Sequence, residues 1–187
     1  GSSSPLRTQS VILCSGTFLR GLVHVGSTNW SSGRYKEKAA NKLSASLEKL
    51  GYPLRRFKTG TPPRIPSESV NLSILEEQPG DSDEWFFSHE SNSRSLPQRV
   101  CWRVYSNEQT HELIRGRIDE SPMYNGSITS VGPRYCPSIE DKVVRFPHRD
   151  RHPLVFEPEG LDHPWLYLNG FSSSLPEEVQ LAALHTL

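Results

Sequence analysis

Apolar and polar positions follow several distinct periods along the chain, and each period predicts an element. Val11-Ile12-Leu13-Cys14 is a short unbroken apolar run cut off by Ser15-Gly16. It predicts a buried strand with Cys14 packed in the core. Leu22-Val23-His24-Val25 predicts a second strand. Over residues 37–50, Ala39, Leu43, Leu47 and Leu50 share one stripe of a helix that Gly51 and Pro53 would stop. Val100, Trp102 and Val104 alternate with Cys101 and Arg103, the pattern of a half-exposed strand. Ser106 and Gln109 have capping-box spacing and open a helix to about Asp119, with Leu113, Ile114 and Ile118 on its apolar side. His111 on that helix is expected at the surface or in a capping role. Leu154-Val155-Phe156 predicts a further strand closed by Glu157-Pro158-Glu159-Gly160, and Ser174, Pro176 and Glu177 mark the start of a last helix.

Composition narrows the class. The 187 residues suffice for one domain with a real core or two small lobes. Apolar residues are only 34%, and 15 Pro with 13 Gly imply many turns. The 21 basic residues balance 21 acidic ones, so no global charge draws the chain to nucleic acid or membrane. Three Cys, with no C-x-x-C, predict neither a disulfide framework nor a metal site and fit a reducing compartment. No apolar run approaches the length of a membrane span. Gly1-Ser2-Ser3-Ser4 reads as a scar without structural weight.

Charge nevertheless segregates locally. Residues 54–64 carry Arg55, Arg56, Lys58 and Arg64 and no acid; residues 65–90 carry seven acids and no Lys or Arg. Two readings stand for the basic stretch: an anion site for a cofactor phosphate or a nucleic-acid backbone, with Lys58 and Arg64 as contacts, or a charged turn paired with its acidic neighbour. The acidic stretch reads as a solvated surface loop. Arg145, His148, Arg149, Arg151 and His152 form a second basic cluster.

The densest chemistry lies in Val131-Gly132-Pro133-Arg134-Tyr135-Cys136-Pro137-Ser138-Ile139-Glu140-Asp141-Lys142. Pro137 suits the first turn of a helix, and Ser138 with Asp141 has the spacing of a capping pair with Asp in place of Glu. Val143, Val144 and Phe146 would form the buried side. Cys136 would then sit just before a helix N-terminus, where partial positive charge makes a thiol more nucleophilic and free N–H groups hold phosphate. The competing reading is a structural Cys in a tight turn.

This run resembles the signature of the MnmG (GidA) family, flavoenzymes that modify the wobble uridine of tRNA. The resemblance continues in Ser15-Gly16-Thr17-Phe18-Leu19, Lys58-Thr59-Gly60-Thr61-Pro62-Pro63-Arg64, Leu75-Glu76-Glu77-Gln78-Pro79-Gly80-Asp81, Thr110-His111-Glu112, Ser121-Pro122-Met123-Tyr124, Glu157-Pro158-Glu159-Gly160-Leu161 and Ser174-Leu175-Pro176. It implies an α/β fold, part of an FAD-binding Rossmann-type domain with an inserted α/β nucleotide-binding lobe. Residues 1–59 would end a flavin-domain segment, 60–140 form the NAD(P)H-binding insertion, and 141–187 return to the flavin domain. The implied activity is aminomethylation at C5 of the wobble uridine, with FAD, NADH or NADPH, and methylenetetrahydrofolate. The implied partners are tRNA, an MnmE-type GTPase and a second copy of the complete protein.

By the same resemblance, Gly132 through Arg145 and Phe146 would bind the nicotinamide nucleotide, and Gly16, Thr17 and Arg34 would lie near the flavin. Cys136 matches the family's functionally implicated cysteine, expected to add to uridine C6; Asp141 or Glu140 would manage protons. The chain departs from the family pattern at Tyr35, Lys36 and Ala40, where glycine, small residues and a flavin-contacting Ser are expected. No G-x-G-x-x-G is present. A central piece of such an enzyme, inactive alone, is the expectation; a non-catalytic tRNA- or partner-binding module is the alternative. The departures, with Leu168-Asn169-Gly170-Phe171, lean toward a mitochondrial form, and a bacterial source would make it cytoplasmic.

Overall fold

A computed structural model describes residues 4–34, 37–82, 85–86, 88–90 and 96–187. Tyr35 and Lys36, and Asp83 and Glu84 among the seven acids of residues 65–90, lie outside the described residues. The architecture mixes helix and sheet, as expected. The chain divides into two compact units: Gly1–Val23 with Asn29–Arg55, and His24–Thr28 with Arg56–Leu187.

The first unit carries most of a two-stranded hairpin, β1 (Leu22–Val25) and β2 (Thr28–Ser31), and the helix α1 (Asn41–Lys49). Arg20 forms a two-pronged ion pair with Glu48 at 2.7 and 2.5 Å. Gly33 admits no side chain, because a Cβ there would lie 2.8 Å from the Phe18 ring and 3.0 Å from Lys38 O. Gly51, at φ +86°, ends α1 as its position predicted. Two expectations fail here. Residues 11–14 form no strand, and Val11, Ile12, Leu13 and Cys14 are exposed. An apolar run becomes a strand only where a neighbour completes its hydrogen bonds, and none of the described residues pairs with it. The α1 stripe is not buried either: Leu43 and Leu50 are exposed, and the one fully buried side chain of α1 is Ser44.

The second unit is built on five strands in the order β3 (Arg64–Pro66), β7 (Trp165–Asn169), β6 (Pro153–Pro158), β5 (Cys101–Tyr105), β4 (Glu76–Gln78), every pair antiparallel. Alternation sends Leu154, Phe156, Leu166 and Leu168 to one face and Val155, Glu157 and Tyr167 to the other. The helices α2 (Glu108–Gly116), α3 (Ile139–Arg145) and α4 (Glu177–Leu184) contribute Ile114, Ile139, Val143, Val179 and Ala183 to the same core as the inward strand residues, Phe171 and Leu175.

Helix starts differ from the sequence reading in detail. The box at α2 is Asn107 with Thr110, displaced by one residue from Ser106 and Gln109. Ser106 is taken up elsewhere: its Oγ lies 2.7 Å from His111 Nε2 and accepts the His152 N–H at 2.9 Å. His111 is therefore a core residue, 1% exposed, rather than a surface one. At α3 the predicted box of Ser138 and Asp141 is present, with Pro137 just outside the helix. Its buried side is Ile139 and Val143, while Val144 and Phe146 are exposed. At α4 the cap is Pro176 without a side-chain bond, because Ser174 points into a buried polar cluster.

Candidate functional site

The start of α3 gathers much of the chemistry the sequence offered, all within the second unit. Residues 133–136 make a turn closed by Cys136 N–H donating to Pro133 O at 3.2 Å. Ser138 Oγ accepts the Asp141 N–H, and Asp141 Oδ2 accepts the Ser138 N–H, each at 3.2 Å. This reciprocal cap uses donors that a helix N-terminus otherwise leaves open.

Asp141 is 5% exposed and has four partners. Besides the cap, Lys58 Nζ lies 3.7 Å from Oδ2, Tyr124 donates its hydroxyl to Oδ1 at 3.3 Å, and Arg145 reaches Oδ1 at 3.4 Å. Burial, followed by the Asp141 charge, pushes the Tyr124 hydroxyl up to about 12. Lys58 is itself only 8% exposed, and its N–H donates to Val131 O at 3.1 Å. Its charge is spent on a buried ion pair 83 residues along the chain rather than on the neighbouring acids. Removing either partner of such a pair strands a buried charge, which is why it anchors the 58–64 loop to α3.

The next residue, Thr59, places its Oγ1 3.7 Å from Cys136 Sγ, and the thiol is half-buried. Arg134 and Tyr135 face outward, with the guanidinium 5.1 Å from the ring centroid. Lys142 turns inward to donate to Gly170 O at 2.9 Å, and burial lowers its pKa. Glu140 is wholly buried. Its Oε1 accepts the Ser174 N–H at 2.9 Å and the Ser173 hydroxyl at 3.0 Å, with Ser121 Oγ at 3.4 Å, while Oε2 has no partner.

Arg64 opens β3. It donates to Glu159 Oε1 at 2.8 Å and Thr61 Oγ1 at 2.6 Å, and its guanidinium lies 4.7 Å from the Tyr167 ring centroid. Burial raises the Tyr167 pKa, and the Arg64 charge opposes it. Gly16, Thr17 and Arg34 belong to the first unit: Gly16 has φ +54°, and Arg34 pairs with Glu37 at 2.6 Å. Among the described residues, no three His, Cys, Asp or Glu side chains are placed to hold a metal ion, and no helix is long and apolar enough to cross a membrane.

A family model described as glucose inhibited division protein A matches residues 2–187. The chain belongs to the glucose inhibited division protein A (GidA) family. A similar protein from Protochlamydia amoebophila, named tRNA uridine 5-carboxymethylaminomethyl modification enzyme MnmG, is 52% identical over 179 residues, covering 96% of this chain and 29% of that protein. Its namesake from Lactobacillus delbrueckii subsp. bulgaricus is 50% identical over 183 residues, covering 97% and 29%. Among solved structures, Aquifex aeolicus GidA in its form I crystal aligns with a TM-score of 0.75 at 43% identity, covering 88% of this chain and 29% of that one. The form II crystal aligns at 0.76 and 39%, covering 91% and 27%. The chain thus spans about 29% of the length of the curated relatives it matches. Within the GidA pattern, the sequence reading passed over Thr59, Tyr124 and Tyr167 and the cluster of Ser121, Ser173 and Ser174. Thr59 and Tyr124 stood inside matching motifs, whereas nothing in the sequence marked Tyr167 or linked the three serines.

Proposed function

We propose that the chain is the central, nucleotide-binding part of a flavin-dependent enzyme that installs an aminomethyl-type group at C5 of the tRNA wobble uridine. Methylenetetrahydrofolate would supply the carbon and NADH or NADPH the reducing power. The observation that supports this reading is Cys136: a half-buried thiol at the lip of a capped helix, against the Thr59 hydroxyl, in a turn anchored by a buried ion pair. A structural cysteine needs no such surroundings.

The cofactors fit unequally. In the first unit, Ser32 Oγ and Gly33 N–H both donate to Glu37 O, and Arg34 is paired with Glu37. Among the described residues, these donors are used within the turn, so by themselves they do not fit a flavin pyrophosphate, and no step here runs through it. The segment from Gly132 to Phe146 fits a nucleotide better, because Glu140 Oε2 is a buried acceptor without a partner, suited to a ribose hydroxyl. That segment would hold the reduced nicotinamide nucleotide, which supplies hydride when bound.

Cys136 acts on the base. Its thiolate, having released its proton to solvent, forms a bond to uridine C6, and the C5–C6 π pair moves onto C5 and O4, making C5 nucleophilic. Once C5 has bonded to the carbon unit and lost its hydrogen, the sulfur leaves with its electron pair. Asp141 has the role of holding the α3 cap and Lys58 in register. Docking of an MnmE-type GTPase and pairing with a second copy belong to the complete protein in this proposal. The test is the Cys136→Ala substitution in a full-length protein carrying this segment, with wobble nucleosides read by mass spectrometry and NADH oxidation read by absorbance. Loss of modified nucleoside with NADH oxidation retained is expected; normal modification would refute the nucleophile.

A further inference from the structure

The sequence holds two Asn-Gly pairs, Asn125-Gly126 and Asn169-Gly170, and the fold treats them differently. In such a pair the glycine has no Cβ to hinder its nitrogen from approaching the asparagine Cγ. Asn125 and Gly126 are exposed in the turn that follows Ser121. The Asn125 N–H donates to Ser121 O at 2.9 Å, which holds the residue from its N-terminal side. Asn125 Oδ1 accepts the Ser127 N–H at 3.0 Å. Gly126 has φ +85°, and nothing stands within 4 Å of the place a Cβ would take. Among the described residues, the Gly126 N–H has no acceptor. Asn169 is tied instead. It stands in register with Val155 on β6, and its Nδ2 donates to Glu157 Oε1 at 2.7 Å. Gly170 O accepts from Lys142 Nζ at 2.9 Å. A Cβ on Gly170 would lie 3.0 Å from Lys142 Nζ and 3.2 Å from both Leu154 Cδ2 and the Pro153 carbonyl.

We infer that Asn125 is a site of spontaneous deamidation, and that the sheet protects Asn169 from the same reaction. The Gly126 nitrogen gives its proton to solvent hydroxide and forms a bond to Asn125 Cγ, while the carbonyl π pair moves onto Oδ1. The Ser127 N–H already donates to that oxygen and stabilises the charge that develops there. The pair returns, the Cγ–Nδ2 bond breaks, and the nitrogen leaves as ammonia with a proton from water. Water then opens the cyclic imide at either carbonyl, leaving aspartate or isoaspartate at position 125. No enzyme and no oxidant is required. At Asn169 the same attack would break the Glu157 hydrogen bond and shift a backbone packed against Lys142 and Leu154. The product adds a carboxylate, and in the iso form a backbone methylene, to the turn that carries Ser121 to Glu140 and Tyr124 to Asp141. This chemistry is independent of the role proposed for Cys136.

The test is incubation of the 187-residue chain at mildly alkaline pH, folded and in concentrated urea, with peptide mass spectrometry following conversion at both positions. In the folded chain, conversion at Asn125 should outrun that at Asn169 many-fold. In urea the two should convert at rates within a few-fold of each other, because the dipeptide alone then decides. Gly126→Ala should slow conversion at Asn125 several-fold, with far-UV circular dichroism confirming the fold. Should that variant fail to fold, the comparison of folded and urea-unfolded wild type decides without it. The inference is overturned by an Asn125 that stays intact in the folded chain, by an Asn169 that converts as fast when folded, by a difference that persists in urea, or by a folded Gly126→Ala that converts at the wild-type rate.

Discussion

Acid should loosen the second unit through one side chain, His152. It is 5% exposed, its ring centroid lies 5.2 Å from that of His111, and its Nε2 has no partner. Burial, then the positive fields of His111, Lys142 and Arg149, lowers its pKa from 6.5 to about 4, against a smaller opposing hydrogen bond with the Lys142 backbone. His111 is lowered as well, by burial and Arg115, with Glu108 and Asp150 opposing. The unfolded chain therefore binds a proton near pH 6.5 that the folded chain refuses until about pH 4, so stability is full above 6.5 and drains away as pH falls through that window. At 1.36 kcal/mol per pKa unit, the drop from 6.5 to about 4 amounts to about 3 kcal/mol. That is a large share of the 5–15 kcal/mol typical of a small domain.

The assay is urea unfolding by circular dichroism at steps between pH 7.5 and 4, on the chain and on His152→Phe, which keeps a ring against Phe146 and cannot titrate. Carboxylates titrate in both proteins, so the quantity of interest is the difference in slope. The wild type should lose about 3 kcal/mol more than the variant across the window. Identical slopes would refute the argument that His152 is held neutral by its surroundings.

Four further outcomes test the packing. Lys58→Ala leaves the buried Asp141 carboxylate to Ser138, Tyr124 and Arg145 and should cost about 1–3 kcal/mol, read from the urea midpoint. Ser138→Ala removes one arm of the α3 box and should cost about 1 kcal/mol, with faster amide exchange confined to α3. Leu168→Ala empties a fully buried site between sheet and helices and should cost about 2–5 kcal/mol in thermal unfolding. Arg103→Ala removes a half-exposed ion pair with Glu76 and a hydrogen bond to Gln78 and should change stability by about 1 kcal/mol or less.

The match between sequence and structure is uneven for physical reasons. β1, β5, β6 and the α3 box were legible because their signals are local: alternation over four or five residues, or two side chains three apart. β7 was not anticipated, although Leu166 and Leu168 alternate with Trp165 and Tyr167, and β3 and β4 read as loops. Strands of three residues carry too little pattern to be seen, and they exist because β7 and β5 supply their hydrogen bonds. Residues 11–14 are the reverse case, a strong pattern without a neighbour to pair with.

The site divides along the same line. The motifs around Cys136, Lys58 and Arg64, the helix cap and the family itself were set by the order of residues, because turns and caps constrain identity locally. Which groups meet was decided by tertiary structure alone. Lys58 finds Asp141, Thr59 finds Cys136, Arg64 finds Glu159 and Tyr167, and Glu140 finds Ser121, Ser173 and Ser174. These partners lie far apart in sequence, and only the folded sheet with its three covering helices brings them within bonding distance. A charge on the linear chain states what a residue offers; the low-dielectric interior, where an unpaired charge or an unbonded polar group is costly, selects the partner that takes it.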